Sequence, residues 1–114
     1  MVDATTSVGE LREHVRQFVH ARDWERFHSP KDLAMAISIE ASELLEVFLW
    51  RESATLADLS SEDRLAVEEE LADVLIYGFS LANVLKMDLS EAMLAKLKKD
   101  EAKYPPDRYR GRAR

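Results

Sequence analysis

The chain has 114 residues, which suits a single domain spanning 1–114, and 46% of them are hydrophobic. Its 16 basic and 22 acidic residues leave a formal net charge of −6 at pH 7, a balance that disfavours nucleic-acid polymers as partners. The absence of cysteine excludes disulfides and thiolate sites, and no apolar run suits a membrane span or a secretory signal, so a soluble cytoplasmic protein is expected.

The first predicted helix runs from about Val8 to Arg22. Ser7 and Glu10 have the spacing of a capping box at its start, and a hydrophobic stripe of helical period follows. A loop at 23–28, which carries two aromatic side chains, separates this helix from the next one.

The second predicted helix begins at Ser29-Pro30, because a capping residue followed by proline is typical of a first helical turn. Its apolar pattern continues to about Trp50. A polar stretch at 51–60 follows and separates it from the third helix.

The third predicted helix is capped by Ser60 or Ser61 and extends to about Lys86. A capping-box spacing at Asp88–Glu91 then opens a fourth helix at Leu89. We therefore expect an all-α fold, a four-helix bundle, with no internal repeats.

The end of the chain is basic. Pro105-Pro106 must stop the fourth helix near Tyr104, and the remaining residues, 107–114, are expected to form a loosely ordered tail. The basic residues of this region are Lys96, Lys98, Lys99, Lys103, Arg108, Arg110, Arg112 and Arg114.

The second and third helices are apolar on two opposite sides, a pattern that is typical of buried helices. In the second helix the two faces carry Leu33, Ile37, Leu44 and Phe48, and Met35, Ile39, Leu45 and Leu49. In the third they carry Val67, Val74, Leu81 and Val84, and Leu71, Leu75, Ile76 and Phe79. Because four helices of this length cannot bury two of them on every side, we expect a homo-oligomer.

Two pairs of acids lie on these apolar helices. Glu40 and Glu43 are one turn apart on the second helix, and Glu70 and Asp73 are one turn apart on the third. Burying ionised carboxylates without partners costs several kcal/mol each. Since the middle of both helices carries almost no basic residues, the four acids predict a site for hard divalent cations.

Oxygen-only ligands point to Mg²⁺, with Mn²⁺ as the alternative, and exclude zinc and copper. Carboxylate-bound magnesium usually keeps positions open for water and substrate phosphates, so phosphoanhydride chemistry is expected. Glu43 or Glu46 could then accept the proton of the attacking water. The competing interpretation is that the acids form ordinary solvated helix faces.

Two strings in the sequence resemble the ExxE and ExxD motifs of the all-alpha, MazG-like nucleoside triphosphate pyrophosphohydrolases. They are Glu40-Ala-Ser-Glu43-Leu-Leu-Glu46 and Glu70-Leu-Ala-Asp73-Val-Leu-Ile-Tyr77. The segments Arg22–Pro30 and Phe48–Trp50 look like the dCTP pyrophosphatase branch of that superfamily. The resemblance covers about residues 8–106.

The resemblance implies specific roles for residues of this chain. Four acids would bind magnesium: Glu40, Glu43, Glu70 and Asp73. Three aromatics and a histidine would hold the base and sugar: Trp24, Trp50, Tyr77 and His28. Lys96 and Lys103 would contact the phosphates, and the assembly would be a homodimer or homotetramer with sites between subunits.

Two positions depart from the family pattern. Asp100 stands where the family usually has asparagine, and an acid at this position would repel a phosphate. Val15 stands where the dCTP branch has a histidine, and the neighbouring His14 would point about 100° away. Specificity for cytosine is therefore less firmly implied than hydrolysis itself.

The expected function is magnesium-dependent hydrolysis of a (deoxy)nucleoside triphosphate to the monophosphate and pyrophosphate, with dCTP or a modified dCTP preferred and sanitation of the nucleotide pool as its role. A different base specificity (dUTP or triphosphates in general) and a non-catalytic helical interaction module are the alternatives. A di-iron bundle would need Glu-x-x-His pairs on two helices. The one such spacing, Glu25 to His28, ends outside a predicted helix.

Overall fold

A computed structural model describes residues 1–51 and 55–112, so Arg114 of the predicted tail lies outside the described residues. All regular structure in these ranges is helical, which confirms the all-α prediction. The helices are α1 (Val8–Ala21), α2 (Pro30–Glu46), α3 (Ser61–Leu85), α4 (Leu89–Lys103) and the short α5 (Pro106–Tyr109). Three 3₁₀ turns lie at Asp3–Thr5, Glu25–Phe27 and Leu56–Asp58. Among the described helices none is long and apolar enough to cross a membrane.

The predicted helix starts are formed by local hydrogen bonds. The Ser7 hydroxyl accepts from the backbone N–H of Glu10 at 3.1 Å, and the Glu10 carboxylate accepts from the Ser7 N–H at 2.8 Å, which completes the capping box. Ser60, and not Ser61, caps α3. At α4 the Asp88 carboxylate accepts from the Glu91 N–H at 2.8 Å, so the predicted cap forms. Of the predicted capping box, this is the one bond found at the start of α4.

The structure differs from the prediction at the end of α2. The helix ends at Glu46 and not near Trp50, because the following N–H groups bond three residues back instead of four. The Phe48 N–H, for example, donates to the Leu45 carbonyl at 2.9 Å.

The expectation of a loose tail is also wrong for residues 107–109, which belong to α5 (Pro106–Tyr109). Pro106 occupies the first helical turn, where its fixed φ suits a helix and its missing N–H costs nothing. The rings of Tyr104 and Tyr109 meet edge to face, with centroids 5.1 Å apart. These two local features order the segment after the prolines.

The main packing contact of the chain is α2 against α3, and α1 packs on α3. The buried hydrophobic side chains of the described residues are few: Val19, Leu33 and Ala82. The second faces of α2 and α3 stay open. Seven apolar side chains of these faces, one of them just beyond the end of α2, are each between 41% and 58% exposed. They are Met35, Ile39, Leu45, Leu49, Leu71, Leu75 and Ile76.

The chain exposes more surface than a monomer of its size should. Its accessible surface is 9296 Å², whereas a monomeric globular protein of this mass exposes about 6,400 Å². Its radius of gyration is 17.0 Å, against an expected value of about 13 Å. Apolar side chains occupy much of this extra surface, as the two-sided pattern of the sequence predicts.

A reciprocal clamp fixes α1 across the end of α3. The Arg12 guanidinium donates to the Asn83 side-chain oxygen at 3.0 Å and to the Met87 carbonyl at 2.8 Å. The Asn83 amide returns a bond to the Arg12 carbonyl at 3.2 Å. The clamp therefore determines where the chain that follows α1 lies relative to α3.

Helix α3 ends in a Schellman arrangement, in which the Met87 N–H donates to the Ala82 carbonyl at 3.1 Å. This turn requires a left-handed residue, and Lys86 adopts φ 54 there. A side chain is strained in that conformation and glycine is not.

We expect Lys86→Gly to raise the free energy of unfolding by about 0.5–1 kcal/mol, because the left-handed strain is removed. Lys98→Gly, within the exposed α4, is the control and should lower it by about 1 kcal/mol. Urea unfolding at one fixed chain concentration measures both values. A loss of stability in Lys86→Gly would contradict the strain at this turn.

Candidate active site

Three of the four predicted metal ligands meet where α2 and α3 pack together. Glu40 and Glu43 lie one turn apart on α2, and Glu70 lies on α3. One carboxylate oxygen from each of the three lies within 4.8 Å of the others, and we call this group the acidic cluster. The packing of the two helices is what brings these side chains together, since they are far apart in sequence.

Two oxygens of the acidic cluster have no hydrogen-bond partner. Glu40 Oε2 and Glu70 Oε2 are buried and unpaired among the described residues. None of the ion pairs found among the described residues includes an acid of this cluster. An unpaired buried carboxylate oxygen is costly, so each needs either a proton or a cation.

The acids of this region also raise one another's pKa. Burial, followed by the neighbouring carboxyls of Glu43, Asp73 and Glu70, raises the pKa of Glu40 from 4.5 to about 7. Burial and the Glu43 carboxyl raise the pKa of Glu70 in the same way. A divalent cation would reverse this repulsion, and a donor set made only of carboxylate oxygens fits such an ion.

Asp73, the fourth predicted ligand, is not one of the acidic cluster's three residues. It lines a neighbouring cavity of about 240 Å³, which we call the aromatic cavity. Its lining includes Phe18, Trp24, His28, Asp73, Tyr77 and Ser80. Asp73 is near enough to the acidic cluster to raise the pKa of both Glu40 and Glu70, so it links the cluster to the cavity.

Trp24 is held in place by the end of α1. Its backbone N–H donates to the Val19 carbonyl at 3.1 Å, in a Schellman turn that places Asp23 at φ 53. The Trp24 ring meets Phe18 edge to face at a centroid distance of 5.6 Å. The Arg22 guanidinium lies 3.8 Å from the centroid of Phe18. These contacts give the cavity a positioned aromatic wall.

The structure does not bring the remaining predicted site residues to this cavity within one chain. Trp50 lies beyond the end of α2 and is 92% exposed. Lys96 and Lys103 lie on α4, which has no extensive packing against the other helices. Lys96 forms an ion pair with Asp100, one turn further along α4. The acid that stands in place of the family's usual asparagine therefore binds a lysine of its own helix. Glu46 is exposed at the last residue of α2.

Sequence reasoning missed Ser80 and Phe18 as lining residues of the cavity. Ser80 follows Tyr77 by three residues and Asp73 by seven, so all three share one face of α3. That spacing was a usable signal for Ser80. Phe18 lies on the hydrophobic stripe of α1, and its contact with Trp24 forms only through the turn that follows α1.

Comparison with known families and structures gives consistent results. The model of the MazG-like family matches residues 35–113. A crystal structure of a pyrophosphatase from Archaeoglobus fulgidus DSM 4304 superposes with a TM-score of 0.71 at 38% identity, covering 92% of this chain and 98% of that one.

Curated relatives are similar over most of this chain. The dCTP pyrophosphatase 1 of Bos taurus is 38% identical over 106 residues, which are 91% of this chain and 63% of that protein. The human dCTP pyrophosphatase 1 is 38% identical over 98 residues, 84% of this chain and 58% of that protein. The chain therefore spans about three fifths of the length of the curated relatives that it matches.

The raised pKa of Glu40 predicts a pH-dependent response to divalent cations. A carboxyl with a raised pKa stabilises the fold when protonated, so the metal-free protein should lose stability between about pH 4.5 and 7. Added Mg²⁺ or Mn²⁺ should raise the Tm strongly at pH 8 and little at pH 5. Thermal unfolding of chelator-treated protein measures both responses.

Glu40→Gln should raise the metal-free Tm at pH 8 and abolish the response to the cation, because it removes both the repulsion and a ligand. Glu62→Gln, an exposed change at the start of α3, is the control and should respond like the unmodified protein. An equal cation effect at the two pH values would contradict the site.

Proposed function

From the premise that this chain belongs to the MazG-like family, we propose that it hydrolyses a nucleoside triphosphate to the monophosphate and pyrophosphate. The one observation that carries the proposal is the acidic cluster with unpaired oxygens on Glu40 and Glu70, adjoining the aromatic cavity through Asp73. A triphosphate joined to a flat base needs both halves of such a site: cation-binding acids and an aromatic pocket. Relatives named as pyrophosphatases support the assignment.

Glu40, Glu43, Glu70 and Asp73 would hold magnesium, with manganese as the alternative. When bound, such an ion lowers the negative charge of the phosphate oxygens and makes water a better nucleophile. The unpaired oxygens of Glu40 and Glu70 support this assignment, because they are available as ligands without breaking a hydrogen bond among the described residues.

In the proposed reaction a water oxygen forms a bond to phosphorus while the bridge between the α- and β-phosphates breaks. The bridging oxygen leaves with the other phosphate, so the products are the monophosphate and pyrophosphate whichever phosphorus is attacked. Glu43, in the acidic cluster, or Glu46, one turn further along α2, accepts the proton of that water.

The base would lie in the aromatic cavity between Trp24, His28 and Tyr77, since every base offers a flat face for stacking. We propose a pyrimidine substrate, dCTP or a modified dCTP, and a role in sanitation of the nucleotide pool. The names of the curated relatives support this preference. Hydrolysis of dUTP or of triphosphates in general is the alternative, and Val15 in place of the histidine of the dCTP branch favours it.

We also propose that the chain assembles as a homodimer or homotetramer through the exposed faces of α2 and α3. The apolar side chains left open on these helices and the surplus accessible surface support this assembly. A partner subunit would then be the source of the groups that the single chain keeps away from the cavity. They are Trp50, Lys96 and Lys103.

A charged substitution on the open face should break the assembly. Ile39→Glu and Leu75→Glu each place a charge on a half-exposed apolar position, which a buried interface would not tolerate. Analytical ultracentrifugation should give two or four chain masses for the unmodified protein and one for these variants. Ser90→Glu, at an exposed position of α4, is the control for added charge. An unmodified protein that sediments as one chain would contradict the assembly.

The site itself is tested by turnover. Glu43→Gln and Asp73→Asn should each lower the hydrolysis of dCTP by at least about 100-fold, because each removes a charged ligand while keeping the shape of the side chain. Circular dichroism should show unchanged helical content, and the Glu62→Gln control should retain activity. Chromatography of the products should show dCMP and pyrophosphate. Diphosphate with orthophosphate, or full activity in both variants, would refute the assignment.

A further inference from the structure

One face of α3 runs from the acidic cluster to the far end of the aromatic cavity. Glu70, Asp73, Tyr77 and Ser80 follow one another at spacings of three and four residues, so they share that face. The seven residues from Asp73 to Ser80 rise about 10 Å along the helix axis. This length is comparable with the span of a nucleotide from its first phosphate to the distal edge of its base.

Ser80 presents a hydroxyl at the wall of the aromatic cavity. The residue is 4% exposed, and it lines this cavity together with Tyr77. Ser42 on α2 instead donates its hydroxyl to the Ser38 carbonyl at 2.9 Å, within its own helix. A nearly buried hydroxyl at a cavity wall can both donate to and accept from a bound ligand.

Ser80 also lies between two cavities. Besides the aromatic cavity it lines a second one of about 270 Å³, which we call the distal cavity. Val19 and His28 line both cavities as well, and Arg16, Glu25 and Lys86 line only the distal one. A base stacked against Trp24 and Tyr77 would therefore present its outer edge at the position of Ser80.

We propose that the Ser80 hydroxyl hydrogen-bonds to the substituent at position 4 of a pyrimidine base, which makes Ser80 a specificity-determining residue. This inference rests on the proposed function. A hydroxyl both donates and accepts, so it can bond to the 4-amino group of cytosine or to the 4-oxo group of uracil. The Ser80 hydroxyl therefore selects bases that carry a polar group at position 4. Both cytosine and uracil meet this condition.

The decisive experiment varies the residue and the base together. KM and kcat are measured for dCTP, for dUTP and for the triphosphate of 2-pyrimidinone deoxyriboside, which has no substituent at position 4. Ser80→Ala should raise KM about tenfold for dCTP and dUTP, the expected effect of losing one hydrogen bond, and leave kcat nearly unchanged. The third substrate should show the same KM with the unmodified protein and with Ser80→Ala.

The control variant is Ser42→Ala, which removes the exposed hydroxyl of α2 and should change no KM. The Tm of Ser80→Ala without substrate should stay close to that of the unmodified protein, because the variant loses only a hydroxyl at the cavity wall. A lower Tm with KM raised equally for all three substrates would show that Ser80 has only a packing role and would overturn the inference.

Two further outcomes separate this inference from the proposed function. If the unmodified protein hydrolyses these triphosphates and Ser80→Ala leaves every KM unchanged, the inference about Ser80 is wrong and the proposed function stands. If the unmodified protein hydrolyses none of them, the proposed function fails and the inference fails with it.

Discussion

The burial of carboxylate oxygens between two apolar helices is the constraint on which the rest of the structure depends. Glu40 and Glu70 lie where α2 and α3 pack, a place where leucines would be more stable. Without a cation the acids repel one another, and the raised pKa of Glu40 is the sign of that repulsion. A cation would turn this unfavourable arrangement into a binding site, so the stability of the fold and the chemistry of the site are coupled.

Helix α3 connects the parts of the proposed site because its face carries the acids, an aromatic ring and a buried hydroxyl in order. The clamp between Arg12 and Asn83 fixes α1 against the same helix. The end of α1 in turn determines the position of Trp24. One long helix therefore carries both the acids of the proposed cation site and residues of the proposed base pocket.

The small core and the open apolar faces have a common explanation. The chain buries few hydrophobic side chains and leaves Ile39 and Leu75 half-exposed, so much of the apolar surface that could stabilise the fold lies on the outside. Trp50 and the two lysines of α4 are not among the described residues that line the cavity. A second copy that covers the open faces would bury this apolar surface. It could also bring its own Trp50 and α4 lysines near the cavity of the first copy. For this reason assembly and catalysis are proposed together.

The sequence by itself determined the starts of the helices, the two-sided apolar pattern of α2 and α3, and the two pairs of acids, because capping bonds and helical periodicity act within a few residues. The sequence analysis was wrong about the end of α2 and about residues 107–109, because turn hydrogen bonds and a pair of tyrosine rings decide the structure there. Only the tertiary structure decided that Glu43 meets Glu70, that Asp73 lines the aromatic cavity and that Ser80 is buried at the wall of the same cavity. These facts depend on how α2 and α1 pack against α3, and that packing is a relation between distant segments which local spacing does not encode.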